Sequence, residues 1–303
     1  MAKQPRSLTG KVAVVTGGGR GIGKALSHAL AREGVRVAIA DLDVAAAQQA
    51  AAEVGAGALA LGLDVTDRSA FTAALDEVEQ RLGPLDIIVN NAGIMPIGPF
   101  EHETDATVIR QLELNLHAVI HGSKEAVRRM KPRGTGHIVN VASIAGKAPA
   151  PGGATYAACK HGVVGLSESL RAELHGTGVQ VSVVIPAFVN TELASGTKEL
   201  RGIKRSTPED VADRVIDALK TGRFEVWVPR SLKSLVTFSI VVPRSFAEWV
   251  GRTISGNGPL LQADRQARAV YEARAAHSTP ALEAMVGEVA AEGDPVPEQP
   301  TAA

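Results

Sequence analysis

The chain has 303 residues, 45% of them hydrophobic, with 32 basic and 32 acidic side chains that cancel to zero formal charge. That balance supports a sizeable core and excludes nucleic acid as the expected partner, while a single cysteine rules out a disulfide framework or a cysteine-built zinc site. No run reaches the ~18 apolar residues of a membrane span, and the apolar run after Lys3, Arg6 and Lys11 is too short for a signal peptide, so a cytoplasmic protein is expected.

The first predicted element is the apolar run Lys11-Val-Ala-Val-Val-Thr16, of the kind buried on both faces of a parallel sheet. It enters Gly17-Gly-Gly-Arg20-Gly21-Ile22-Gly23, and Lys24 to Glu33 then reads as a helix. Strand, glycine turn and helix N-terminus together make a phosphate-binding device: glycines allow close backbone approach, and the helix presents free N–H groups to negative charge. The spacing is Gly-x-x-x-Gly-x-Gly, so the general dinucleotide fingerprint is met only approximately.

A second strand, Val35 to Ala40, ends on Asp41, eighteen residues after Gly23. A carboxylate there is placed to accept the adenosine ribose hydroxyls and to repel a 2′-phosphate, which favours NAD over NADP. Arg20 pulls the other way, because a guanidinium in the glycine turn can pair with that phosphate. Further strands are predicted at Leu59–Leu63, Leu85–Val89, His137–Ala142, Val179–Ile185 and Phe224–Val228. Thr207-Pro-Glu-Asp opens a helix with a buried stripe of Val211, Val215, Ile216 and Leu219, ended by Gly222.

Tyr156 and Lys160 lie one helical turn apart, thirteen residues after Ser143. A phenol with its ordinary pKa of about 10 is a poor acid-base catalyst at neutral pH. An ammonium on the same helix face lowers that pKa, and a serine hydroxyl can hold the same substrate oxygen.

Thr16-Gly17-x-x-x-Gly21-Ile22-Gly23, Asp64-Val65, Asn90-Asn91-Ala92-Gly93, Asn115, Ser143, Tyr156-x-x-x-Lys160 and Pro186 to Thr191 jointly resemble the short-chain dehydrogenase/reductase family over roughly residues 8–230. The resemblance implies adenine contacts at Asp64 and Val65, and a tight strand exit beside the cofactor at Asn91, Ala92 and Gly93. It also implies that Asn115 anchors a water near Lys160, that Lys160 bonds the nicotinamide ribose, and that Pro186, Val189 and Thr191 border the nicotinamide. Many relatives carry Pro-Gly where this chain has Pro186-Ala187.

Two rival chemistries are weaker. Glu113, His117 and His121 share one helix face, but no further acid-and-water constellation completes a metal site, and a solvated or subunit-contact face is favoured. Gly165-Leu-Ser-Glu-Ser does not match a nucleophile elbow. Cys159, between Tyr156 and Lys160, is read as buried and inert rather than as a reactive thiol.

Beyond the last predicted strand, Leu232 to Val242 fits either a strand or a helix, and Gln262 to His277 reads as an exposed, Arg-rich helix. From Thr279 five acids and four prolines with no Lys or Arg point to a disordered tail. Ala194 to Arg205 is a polar segment expected to cover the substrate. For Leu232 to Val250, packing on the enzyme is favoured over an interfacial membrane helix.

The sequence therefore predicts an α/β, Rossmann-like doubly wound sheet of about seven parallel strands. The dehydrogenase domain spans 1–230, a helical extension 231–278 and the acidic tail 279–303. The expected activity is hydride transfer between NAD(H) and a secondary alcohol or ketone in a homotetramer or dimer. Ile94, Met95, Pro96, Ala148, Pro149, Ala150 and Phe188 point to an apolar, acyl or steroid-like substrate. The alternatives are a non-catalytic dinucleotide-binding module and a membrane-surface reductase using NADPH.

Overall fold

The computed structural model describes residues 5–197, 204–243, 245, 260–280 and 282. Seven strands form one sheet in the order β3-β2-β1-β4-β5-β6-β7, and every neighbouring pair runs parallel. In chain order the elements begin β1 (Val12–Thr16), α1 (Gly21–Arg32), β2 (Arg36–Asp41), α2 (Val44–Val54), β3 (Leu59–Gly62), α3 (Arg68–Leu82) and β4 (Ile87–Asn90). They continue with α4 (Asp105–Leu112), a π turn (Glu113–His117), α5 (Ala118–Met130), β5 (Gly136–Val141), α6 (Ala154–Glu173), β6 (Val179–Pro186), α7 (Pro208–Thr221) and β7 (Glu225–Val228). Two further helices, α8 (Ser231–Val241) and α9 (Arg265–Ala276), follow.

Both faces of the sheet are covered. Leu26 and Leu30 of α1 pack with Val211, Val215 and Leu219 of α7 on one side. Phe71 and Leu75 of α3 pack with Ala126 and Met130 of α5 on the other. This burial explains the uninterrupted apolar strands: every residue of β1 and β4 is buried. The helix ends follow local chemistry. Asp43 caps α2 by accepting from the Ala46 N–H, and Thr207 and Asp210 form a reciprocal capping box on α7, which ends at the left-handed Gly222.

Strand order reverses between β1 and β4, which opens a crevice at their C-terminal ends. The glycine turn after β1 and the Asn91–Gly93 exit of β4 meet there: the Asn91 side-chain amide donates to the carbonyls of Thr16 at 2.9 Å and Gly17 at 3.1 Å.

In the extension, one open alternative resolves and one expectation is corrected. Leu232 to Val242 resolves in favour of a helix, α8, whose Leu232 and Val236 are buried with Trp227, Val183 and Ile185. The correction is to α9: read as exposed, it buries Arg268, Tyr271 and Ala275. Three side chains spaced i, i+3 and i+7 make one face of a helix, and that face turns inward. Most of the acidic tail, residues 198–203 of the expected cover and 246–250 of the apolar segment lie outside the described residues. Among the described residues, no helix is long and apolar enough to cross a membrane.

Candidate active site

A cavity of about 1920 Å³ runs from the glycine turn across the β4 exit to the end of β6. All of the site residues singled out in the sequence line it: Gly17, Arg20, Gly21, Ile22, Asp41, Asp64, Val65, Asn91, Ala92, Gly93, Asn115, Ser143, Tyr156, Lys160, Pro186, Val189 and Thr191.

At the glycine end, Gly17 and Gly21 hold positive φ values of 61° and 51°. A Cβ on Gly23 would fall 2.1 Å from the Gly17 carbonyl oxygen, so only glycine lets the first turn of α1 press against the loop. No side chain caps the N-terminus of α1, and its first N–H groups are left to a ligand or solvent. Donor turn, helix end and long cleft fit a dinucleotide diphosphate.

The acidic end of β2 is tightly organised. Asp41 accepts from the Gly19 N–H at 2.9 Å and the Asp43 N–H at 3.0 Å. Arg20 is already paired, its Nη2 lying 2.6 Å from Asp43 Oδ2. That hydrogen bond holds the Asp43 carboxyl below its usual range and raises Arg20. The sequence treated Arg20 as an unengaged rival of Asp41; the structure ties it to Asp43. Asp64 turns its carboxylate back onto the Thr66 N–H at 2.9 Å and the Thr66 hydroxyl at 2.7 Å.

At the other end, Ser143 follows β5, where its Oγ accepts from the Ala145 N–H at 3.2 Å and lines the cavity together with the Tyr156 phenol. Lys160, one turn along α6, lies with Nζ 5.6 Å from the Tyr156 ring centroid and donates to the Val141 carbonyl at 2.8 Å. Both side chains are buried. Burial pushes the Tyr156 phenol up to about 12, against the opposing influence of the Ser143 hydroxyl, and pulls Lys160 down to about 8. The sequence expectation of a lowered phenol pKa is thus outweighed by desolvation in the protein alone.

Asn115 sits in the π turn rather than in regular helix. The widened turn aims its fully buried amide at Ile94, whose N–H it accepts and whose carbonyl it donates to, both at 3.0 Å. A Cβ on Gly93 would lie 2.7 Å from Asn115 Oδ1 and 3.8 Å from Lys160 Nζ. The three residues therefore converge only because position 93 has no side chain.

Residues 11–201 match the short chain dehydrogenase family. This chain belongs to that family. It is 35% identical over 230 residues to the ketoacyl reductase HetN of Nostoc sp., covering 73% of this chain and 79% of that protein. It is 38% identical to the 1-deoxy-11-beta-hydroxypentalenate dehydrogenase of Streptomyces exfoliatus, covering 72% of this chain and 82% of the relative. Among solved structures, a short chain dehydrogenase/reductase of Burkholderia phymatum in complex with NAD superposes with a TM-score of 0.71 at 27% identity, covering 77% of this chain and 93% of that one. The short-chain dehydrogenase described here is an oxidoreductase that binds a nicotinamide dinucleotide and transfers hydride between it and an alcohol or ketone.

The remaining sequence candidates separate from the site. His117 pairs with Glu113 at 2.8 Å, while His121 turns to the Arg68 carbonyl at 3.2 Å and the edge of Phe71. Cys159 is fully buried, and desolvation raises its thiol to about 11. Sequence reasoning missed Leu260 and Tyr271, which also line the cavity, and Arg268 behind them. It also missed the buried polar network behind the site, in which Asn90 Nδ2 donates to Asn140 Oδ1 at 2.8 Å and Asn140 Nδ2 to Ser167 Oγ at 3.1 Å. The i, i+3, i+7 spacing of Arg268, Tyr271 and Ala275 was the available signal for the extension.

Proposed function

We propose that this enzyme uses NAD(H) to interconvert a hydrophobic secondary alcohol and its ketone. The observation that carries the reading is the convergence of Ser143, Tyr156 and Lys160 in one cavity, with Lys160 Nζ 5.6 Å from the Tyr156 ring centroid and an apolar cluster of Met95, Ala145, Tyr156 and Leu260 around the phenol. When bound, NAD(H) supplies or accepts the hydride. In the reducing direction the Tyr156 hydroxyl donates its proton to the carbonyl oxygen, which Ser143 Oγ holds. In the oxidising direction the Tyr156 phenolate takes the proton back. The Lys160 ammonium, 5.6 Å from the Tyr156 ring, stabilises that phenolate as it forms, besides bonding the nicotinamide ribose, and Asn115 positions the relay beside Lys160. Asp64 and Val65 border the adenine, and Pro186, Val189 and Thr191 the nicotinamide.

Asp41 at the ribose end, with Arg20 engaged by Asp43, favours NAD over NADP: a 2′-phosphate there would meet two carboxylates and one guanidinium already paired. The intact Ser143, Tyr156 and Lys160 favour catalysis over a binding module. Leu232 and Val236, packed against Trp227, favour an extension folded onto the enzyme over a membrane-surface helix. Exposed Ile109 and Ile120, beside the π turn, support a homo-oligomer formed through this face.

The test is cofactor reduction with a panel of secondary alcohols, followed by absorbance of the reduced nicotinamide. NAD-dependent turnover that rises with substrate apolarity is expected; turnover of polar polyols alone would overturn the substrate class.

A further inference from the structure

The face of α9 that turns inward is built around a buried cation. Arg268 is 2% exposed, yet its guanidinium makes four hydrogen bonds. Nη2 donates to the Met95 carbonyl at 2.7 Å, Nη1 to the carbonyls of Leu193 at 3.0 Å and Ser195 at 2.9 Å, and Nε to Glu272 at 2.9 Å. A buried charge is costly unless paired and hydrogen-bonded, so the arrangement holds its partners firmly in place. Those partners are the segment after β4, the segment after β6 and α9 itself, three walls of one cavity.

Tyr271, one turn further along α9, lies under the same guanidinium at 4.8 Å. The Met95 N–H donates to its hydroxyl at 2.6 Å. Arg268 and Tyr271 thus take the carbonyl and the N–H of one residue, Met95, whose side chain packs on Tyr156. Ahead of the helix, Leu260 joins the same apolar cluster as Tyr156, and a Cβ on Gly152, just before α6, would fall 2.9 Å from the Leu261 nitrogen. The segment before α9 therefore sits against the start of the helix that carries Tyr156.

We propose that α9 and Leu260 form the specificity wall of the substrate pocket, with Tyr271 and Leu260 facing the substrate and Arg268 acting as the positioning residue that locks the wall to Met95 and the Leu193–Ser195 segment. The proposal rests on the alcohol-dehydrogenase reading of the site. It assigns the choice of substrate to residues beyond the sheet, while the chemistry and cofactor binding remain with the seven-stranded core. The wall limits the length of the apolar group accepted beside the reacting carbon.

The experiment compares 2-butanol with 2-octanol in the full chain. Tyr271→Ala and Leu260→Ala should raise kcat/KM for 2-octanol relative to 2-butanol by about tenfold or more, because a few methylenes in an apolar pocket are worth at least that much. Arg268→Met keeps the bulk and removes the four hydrogen bonds. It should raise KM for both alcohols about tenfold, leave the Kd for NADH within twofold, and leave the pH profile of kcat unchanged, with partial recovery in Arg268→Lys. Hydrogen exchange supplies an arm independent of turnover: amides of Ile94–Met95 and Leu193–Ser195 should exchange faster in Arg268→Met, and those of Gly17–Gly23 should not. An unchanged selectivity ratio in both alanine variants, or unchanged exchange in Arg268→Met, overturns the proposal. Should Arg268→Met not fold, Leu260→Ala and Arg268→Lys decide it by the same readouts. Wild-type protein that oxidises neither alcohol refutes the substrate reading instead, and the exchange arm still judges the wall.

Discussion

Arg20 and Asp43 form an ion pair at the rim of the nucleotide cleft, 2.6 Å apart and about equally exposed, while Asp41 next to them binds the glycine turn through the Gly19 N–H. The one guanidinium of the glycine turn is thereby engaged by a carboxylate that also caps α2. Asp41→Ala should weaken NAD binding and move the NAD-to-NADP ratio of kcat/KM toward NADP by about tenfold. Asp43→Ala should move it the same way by releasing Arg20, and should cost about 1 kcal/mol through the lost cap. Titration of both cofactors checks this; a wild-type preference for NADP would show that Arg20 governs instead.

Tyr156→Phe keeps the buried ring and removes the exchangeable proton. Turnover should fall by about 10²–10⁴, the range for acid-base groups, with NADH binding retained. Substantial turnover by this variant would sink the mechanism.

Asn115, fully buried, satisfies both backbone groups of Ile94. Asn115→Leu should therefore destabilise the fold by about 1–3 kcal/mol for each group left unpaired, alongside a loss of activity. Denaturant melts measure the first effect, and an unchanged midpoint would contradict the assignment.

His137 lies buried in β5 against the Ser182 hydroxyl at 2.8 Å, and desolvation, aided by the charge of Arg6, pulls it down to about 3. The folded state thus favours the neutral ring. Its contribution is intact above the ordinary histidine value near pH 6.5 and is lost as pH falls from there toward 3, because the unfolded chain binds the extra proton. Stability should decline by up to about 1.4 kcal/mol per pH unit across that window from this group alone. His137→Asn should flatten the slope in melts recorded between pH 4 and 7; an unaltered slope would remove His137 as its source.

Light scattering at micromolar concentration should show a dimer or tetramer that dissociates in Ile109→Glu or Ile120→Glu. A wild-type monomer would refute assembly through the face beside the π turn.

The strands and the glycine turn were legible in the sequence because parallel strands buried on both faces are short apolar runs bounded by turn residues, and each of the seven predicted runs falls on an observed strand. The capped α7 was legible for a similar reason, since Thr207, Pro208, Asp210 and Gly222 act locally. The site was harder. The π turn at Asn115 is a single widened turn inside a helical pattern, with no residue type that marks it. The pairing of Arg20 with Asp43 depends on how β2 turns into α2. The upward push on Tyr156 arises from burial by distant segments, which a four-residue spacing to Lys160 does not record. Arg268 looked like one more exposed arginine, because three of its four acceptors are backbone carbonyls more than seventy residues away.

The bond from Met95 to Tyr271 closes 176 residues of chain. By contrast, the glycine turn is completed by Asn91, nearer in sequence and directly after β4. Closing a long loop costs entropy that nearer contacts do not, and an element outside the sheet can open before the strands do. The two halves of the cleft therefore differ in cooperativity. On heating, α9 should detach in a sub-global transition that leaves the nucleotide half folded, giving a species that still holds the dinucleotide and no longer sorts its alcohols by size.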